Sequence, residues 1–369
     1  MSIKSKLTNF IKSCKYRNIS QICYSFLYSK QYQKNAKRNG IQMKDLPTSE
    51  FKRKWSQLSH VYETTTFQYF ANYTEHLSDI VPESIGRTCI EYILNPINFR
   101  AYYSDKNMFA RICGNENIAN TLVCRIGGGV LLDKNLKPIS SIDTVLKNYE
   151  KVILKPTFGS KGGQGIMVFC REGNCLKSDD VILSETMLLN YGENFAIQEV
   201  IQQNDKLASL NPTSVNTIRV AVYRSVVDDK AHVISSIIRI GGAGMVVDNA
   251  CSGGKYAGVD IKTGKIANTL RDINGKIYTS QNGIDYTTLD FTIPGWEIIK
   301  NKCQEIAENI PHHRLIAFDM TITNDLKPIM IEFNINAFSY WLFMYTNQPP
   351  LGIYTEEIIE YCKKKLKKH

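Results

Sequence analysis

Apolar positions follow a helical period early in the chain and an alternating period later. Residues 1–40 read as basic helices, with Phe10, Ile11, Ile22, Tyr24, Phe26 and Leu27 set between the charges. Leu46-Pro47-Thr48 starts a further helix, with Pro near the first turn. Residues 48–98 continue mostly helical: Trp55, Leu58, Val61 and Tyr62 share one stripe, Ile90, Tyr92 and Ile93 another, and Asn95-Pro96 ends the run. The aromatic stripes are expected to be core.

The texture changes from Tyr102. A short helix is expected to start at residues 104–109, capped by Ser104 or Asp105. Val123–Ile126 and Val130–Leu132 read as strands around Gly127–Gly129, and Ser140–Tyr149 as a helix. Strands are then predicted at 152–155, 166–170, 195–200, 216–224, 232–240, 256–261, 314–322 and 328–334, with a terminal helix over 356–368. There is no internal repeat or low-complexity linker. Mixed helices and strands of this kind indicate an α/β or α+β unit.

Composition adds little to that picture, but charge adds something. The 369 residues, 43% hydrophobic and 22% charged, suit a globular chain of two or three structural units. No run approaches the roughly 18 apolar residues that span a bilayer, and residues 1–20 lack the apolar core of a secretory signal. The ten cysteines are dispersed without a C-x-x-C pair, which fits free thiols in a reducing cytoplasm rather than zinc or disulfides. Residues 1–54 hold thirteen Lys/Arg against Asp45 and Glu50, a net +11, so the other 315 residues net about −1. A second basic patch, Lys363-Lys-Lys-Leu-Lys-Lys368, closes the sequence. The basic N-terminal segment fits either an anionic membrane surface or a solvated helical hairpin. No nucleic-acid-binding module is visible.

Candidate chemistry begins at Lys155-Pro-Thr-Phe-Gly-Ser-Lys-Gly-Gly-Gln-Gly165, a glycine-rich loop between two predicted strands. Glycines let backbone N–H groups turn toward an anion, and Lys155 and Lys161 add positive charge, a combination suited to polyphosphate. The loop is not the G-x-x-x-x-G-K-[ST] pattern and not G-x-G-x-x-G before a helix. Its strand lysine precedes the glycines, unlike the order in protein kinases. A glycine-rich hairpin with no ligand is the alternative.

A second constellation lies in the hairpin 314–335. With a turn centred between Asp325 and Leu326, Asp319 stands opposite Glu332, and Asn334 faces the same way. Opposed carboxylates need a neutralising partner, and oxygen-only ligands suit Mg²⁺ or Mn²⁺. A different register would instead send the carboxylates to separate faces. Arg219 and Arg239 sit in apolar strands, where their charges must be met by an anionic substrate or by neighbouring carboxylates. Residues 241–254 form a second glycine-rich loop, expected to cover the site or contact an acceptor.

The ordered set Lys106, Lys155-Pro with its loop, Gln198-Glu199-Val200-Ile201, Asn216-Thr217-x-Arg219, Asp319 and Glu332-Phe333-Asn334 resembles the ATP-grasp superfamily. It looks most like the sugar-transfer-associated branch found with polysaccharide biosynthesis. The resemblance covers roughly residues 100–345. It implies an α+β ATP-grasp fold of two subdomains gripping ATP over residues 101–345, with a lid at about 150–205; the helical basic region 1–100, which the ATP-grasp core does not explain, precedes it, and a C-terminal helix and tail, 346–369, follow.

By the same resemblance Lys106 and Lys155 contact ATP phosphates, and Gly159, Ser160, Lys161, Gly162 and Gly163 close over them. Gln198, Glu199, Val200 and Ile201 hold the adenine and ribose, and Asp319, Glu332 and Asn334 carry Mg²⁺. Arg219, Arg239 and Lys155 are then the catalytic cations. Residues 335–343 depart from many members in being unusually aromatic, which puts the substrate contacts expected there in question.

The implied reaction is a carboxylate–amine ligation through an acyl phosphate, releasing ADP and phosphate, on a cell-surface glycan or its precursor. The expected location is the cytoplasm; contact with the inner face of the membrane through the basic helices is the alternative to a solvated helical hairpin. A kinase acting on a hydroxyl and a non-catalytic ATP-binding regulator are the competing readings.

Overall fold

The computed structural model describes residues 17–159, 163–245 and 253–367. Two antiparallel sheets organise them. The smaller contains β1 (Thr121–Arg125), β2 (Lys151–Pro156), β3 (Met167–Glu172), β4 (Cys175–Ser178), β5 (Val181–Ile182) and β6 (Phe195–Glu199), in the order β1-β6-β2-β3-β4-β5. It has its own core, centred on Val152, Leu154, Phe169, Leu188, Phe195 and Ile197.

The larger sheet contains β7 (Thr217–Arg224), β8 (Ala231–Ile240), β9 (Lys255–Gly258), β10 (Leu270–Arg271), β11 (Ile277–Tyr278), β14 (Leu315–Ile322) and β15 (Pro328–Asn334), in the order β11-β10-β9-β8-β7-β14-β15. A separate two-stranded ribbon pairs β12 (Ser280–Gln281) with β13 (Ile284–Asp285).

Both faces of the larger sheet are covered, which explains why every residue of β14 is buried. Ile218, Val220, Ile316, Phe318 and Met320 face the helix Trp296–Glu308, which presents Trp296, Ile299, Cys303, Ile306 and Ala307 to them. Ala221, Tyr223, Ile237, Leu315 and Ala317 point the other way, into a core shared with the N-terminal helices and the helix Thr355–Leu366. The N-terminal helices are therefore the second layer on this sheet.

That layer is more broken than helical periodicity suggests. After a long first helix, Arg17–Asn39, come short helices at Ser49–Trp55 and Thr65–Phe70. The run Glu83–Leu94 then passes through a π-helical turn at Gly86–Ile90. In the first helix, tyrosines spaced by four stack along one side. Tyr24, Tyr28 and Tyr32 lie 6.1 and 5.9 Å apart, and Tyr32 continues onto Tyr69 at 5.3 Å.

Most expected strands are present, with two differences. Val130–Leu132 forms isolated bridges rather than a strand, because Leu132 pairs with both Cys124 and Pro138 across tight turns. The strand expected over 256–261 stops at Gly258, where a Cβ would crowd Thr346 and Gln348. The helix expected near residue 104 is a 3₁₀ turn, Lys106–Met108, capped by the Asp105 side chain, followed by Phe109–Cys113.

Gly86 lies beneath the Tyr340 ring, and a Cβ there would overlap it. Tyr340 is fully buried and donates its hydroxyl to the Gly86 carbonyl at 3.2 Å. Gly86→Ala is expected to cost about 1–3 kcal/mol, because a packed core resists an added methyl. Chemical denaturation against wild type measures this.

Candidate functional site

The site is built on the β7–β14–β15 part of the larger sheet. Alternation along each strand puts Arg219, Asp319, Glu332 and Asn334 on the face opposite the helix Trp296–Glu308. Asp319 is directly opposite both Arg219 and Glu332.

The Glu332 pairing depends on a bulge. Near the turn the partners are Met320–Met330, Thr321–Ile329 and Ile322–Pro328, which centre the hairpin on Asp325. The Leu326 N–H donates to Thr323, and Leu326 takes a left-handed φ of 57°, as in a three-residue hairpin loop. Continued unbroken, that register would set Ile331 against Asp319. The irregularity beyond Asp319 moves the register by one and brings Glu332 there instead. The pair expected from the sequence is present, but turn and bulge set it together.

Asp319 is fully buried and its charge is met by two arginines. Arg219 grips it with two hydrogen bonds of 2.8 Å, from Nε to Oδ1 and from Nη2 to Oδ2. Arg239 Nη2 adds a third at 3.0 Å to Oδ2. Burial alone would raise the Asp319 pKa, but the arginines outweigh it and hold the carboxyl at about 2. Of the two origins open to the strand arginines, neighbouring-carboxylate pairing is the one seen in this conformation.

The lysines reach the same place from the other sheet. The Lys106 N–H donates to the Thr157 carbonyl at 3.1 Å, and Asn107 Nδ2 to Thr157 Oγ1 at 3.0 Å, which staples the 105–107 turn to the end of β2. From there Lys106 Nζ pairs with Glu332 Oε2 at 2.8 Å. Lys155, on β2, lies within electrostatic range of both. Burial and the Lys106 charge push its pKa down to about 8, while Glu332 opposes them. Among the described residues, four cations thus gather around the carboxylates of Asp319 and Glu332.

Among the glycines of the loop, Gly159 and Gly163 take left-handed φ values of 73° and 78°. Ser160, Lys161 and Gly162 lie outside the described residues. So does much of the second glycine loop, whose base is tied down by Gln281 and Asn282 donating to Gly241. On β6, Gln198 is buried; its amide donates to Thr121 Oγ1 at 2.9 Å, and its Oε1 has no partner among the described residues. Glu199 is exposed at the strand end, beside Val200 and Ile201. Asn216 is structural, donating to the carbonyls of Leu207 and Asn211.

Asp319, Glu332 and Asn334 suit a hard divalent cation by kind, being two carboxylates and an amide on one face. Asn334 turns its amide nitrogen to the Ala317 carbonyl, which leaves Oδ1 as the acceptor. Glu332 and Asn334 are half-buried and reachable. Both Asp319 oxygens are held by guanidinium groups, so ligation by Asp319 requires one of them to let go. Among the described residues no group of three or more His, Cys, Asp and Glu side chains that could hold a metal ion is found, at this site or any other.

Sequence reasoning missed the residues that hold the strand end in place. Asn95 donates to the Leu315 and Ile335 carbonyls and accepts from the Arg314 and Leu315 N–H groups. Glu91 accepts from the Ala337 and Phe338 N–H groups, and Glu83 from the Trp341 N–H. These caps support a loop in which Ala337 and Ser339 have left-handed φ of 62° and 66°. The signal was Glu83, Arg87 and Glu91 spaced by four within an apolar run. The aromatic stretch 335–343 has a corresponding explanation: Phe338, Tyr340 and Phe343 are buried core against the N-terminal layer.

A profile of the family described as sugar-transfer associated ATP-grasp matches residues 88–358, and the chain belongs to that family. Among solved structures, ATP-grasp ligase PsnB with a phosphomimetic minimal precursor, Mg and ADP is 13% identical, with a TM-score of 0.39, over 72% of this chain and 61% of that one. The ADP complex of N5-carboxyaminoimidazole ribonucleotide synthetase is 11% identical, with a TM-score of 0.38, over 68% and 52%. D-alanine–D-alanine ligase from Bacillus anthracis is 12% identical, with a TM-score of 0.37, over 72% and 69%. The chain thus spans between half and two-thirds of the length of the first two. No curated protein matches the sequence.

Removing the Asp319 charge takes from Arg219 and Arg239 the buried carboxylate that they share. Asp319→Asn is expected to cost about 3–5 kcal/mol in denaturant unfolding at neutral pH. Because the folded pKa lies below the unfolded value, the Asp319 contribution is present above about pH 4 and lost as pH falls toward about 2. The difference between wild type and variant should shrink over that acid range. Lys155 predicts an effect at the other end. Deprotonation as pH rises through about 8 should weaken polyphosphate binding, and Lys155→Met should abolish that pH dependence in calorimetric titrations with a non-hydrolysable ATP analogue.

Proposed function

We propose that this sugar-transfer associated ATP-grasp protein is an ATP-dependent ligase that activates a substrate carboxylate and transfers it to an amine. One observation supports the reading: Lys106, Lys155, Arg219 and Arg239 gather with the carboxylates of Asp319 and Glu332 beside a glycine-rich loop. Such a site suits the γ-phosphoryl group of ATP. The unpartnered Gln198 Oε1 suits an exocyclic amine of adenine, with Glu199 beside it for ribose hydroxyls.

The chemistry balances without a covalent enzyme intermediate. A carboxylate oxygen of the substrate attacks the γ-phosphorus, the bond to the β,γ-bridging oxygen breaks, and ADP leaves. The amine then attacks the acyl carbon and phosphate departs, with the amine proton passing to solvent. Lys106 and Lys155 neutralise the phosphates, while Arg219 and Arg239 stabilise charge on the transferring group. Each arginine that turns toward phosphate uncovers a carboxylate oxygen. Asp319, Glu332 and Asn334 would form the oxygen set for the divalent ion that accompanies ATP, Mg²⁺ or Mn²⁺, which would offset phosphate charge. No histidine enters this scheme: His313 is buried, and His312 stacks on Phe99 at 4.0 Å.

The family description supports a glycan or sugar precursor as the molecule modified, and the proposed reaction is cytoplasmic. The test is nucleotide and phosphate analysis after incubation with Mg-ATP and pools of amino acids, uronic acids and amino sugars. The expected outcome is ADP with free phosphate, requiring both a carboxylate and an amine. ADP with a phosphorylated product and no free phosphate would replace the ligase reading with a kinase. Tight Mg-ATP binding without turnover in any pool would favour the regulator.

A further inference from the structure

The outward face of the first helix, Arg17–Asn39, has an order that the ATP site does not explain. Its inner face is buried through Gln21, Tyr32, Asn35 and Ala36. Its outer face begins with Ile19, Ile22 and Phe26, which are 45, 54 and 56% exposed. It continues with exposed Lys30, Gln33, Lys34, Lys37 and Arg38. At 100° per residue, Ile19, Ile22, Phe26, Lys30, Gln33 and Lys37 fall within an arc of about 80°.

The helix carries no acidic residue. Lys30 folds back so that Nζ lies 4.2 Å from the Phe26 ring centre, placing charge at the border of the apolar part. The C-terminal helix, in the same helical layer, adds exposed Lys364 and Lys365.

Single exposed apolar residues are ordinary on a protein surface. Three aligned on one stripe, continuing into a row of lysines without any acid, match an interfacial helix: apolar side chains enter the acyl boundary while lysines meet anionic headgroups. Nucleic acid would account for the lysines but not for the isoleucines and phenylalanine. We propose that this face docks the protein on an anionic lipid bilayer, with Ile19, Ile22 and Phe26 inserted and Lys30, Lys34 and Lys37 against the headgroups. The protein then lies on the bilayer; no helix among the described residues is long and apolar enough to cross it.

The test uses the full chain in flotation with vesicles of phosphatidylcholine alone or with phosphatidylglycerol added. Binding is expected only to the anionic vesicles and is expected to weaken in high salt. Ile22→Ser/Phe26→Ser and Lys30→Glu/Lys34→Glu should each lower partitioning by about tenfold or more. Unchanged thermal unfolding would verify that both variants fold. Absence of wild-type binding would overturn the proposal, as would binding that neither variant alters. Self-association lost in Ile22→Ser/Phe26→Ser, without vesicle binding, would assign the face to a second copy of the chain instead.

Discussion

The carboxylate of Asp319, on β14 of the larger sheet and buried between two guanidinium groups, is the interaction on which the site depends. An unpaired charge there would be prohibitive, and three hydrogen bonds from Arg219 and Arg239 are what make it tolerable. The same bonds fix the directions of the arginines, and through β15 they set where Glu332 and Lys106 meet. Neighbouring positions on these strands are apolar, so a substitution at the pair would change charge balance and packing together.

Register is the second constraint, and it shows how far the sequence could be read. Counting outward from the turn pairs Asp319 with Glu332 only if the hairpin centres between Asp325 and Leu326. The loop in fact centres on Asp325, and an irregularity near Ile331 restores the pair. Two local features, each invisible to alternation, compensate one another. The ordered motif residues were legible because chemistry restricts their types. The bulge was not, since nothing in Met330-Ile331-Glu332 distinguishes it from regular strand. The helix Trp296–Glu308 was readable in principle, through apolar positions three and four apart, yet it lies outside any motif and was not singled out. Two-residue strands such as β5 and β10 to β13 carry too little pattern to be seen at all.

The N-terminal layer is where one-dimensional reading departs furthest from the fold. Taken along the sequence, it is a basic helical region ahead of the nucleotide-binding part. In space it covers the sheet face that also carries the site and supplies the partners of the loop beyond Asn334. Glu83 and Glu91 are buried because backbone N–H groups of residues 337, 338 and 341 need acceptors. Their burial pushes both carboxyls above the ordinary carboxylate range, with Arg87 opposing, so this support is held by balanced costs. The aromatic residues of 335–343 belong to the same arrangement: they are the sheet's grip on the helices.

Charge then links the two sheets. Lys106 is attached by backbone to the end of β2 and by side chain to Glu332 on β15, so one residue bridges the smaller sheet and the larger. Lys155 is disfavoured as a cation by its packing and by Lys106, and Glu332 compensates both lysines only in part. Bringing the sheets together without an anion therefore concentrates like charge. On the proposed function, a polyphosphate entering between them would reverse the sign of that interaction and compete with Asp319 for the arginines. Charge neutralisation and the change of partner by the arginines would then be one event, at the point where the proposed phosphoryl transfer takes place.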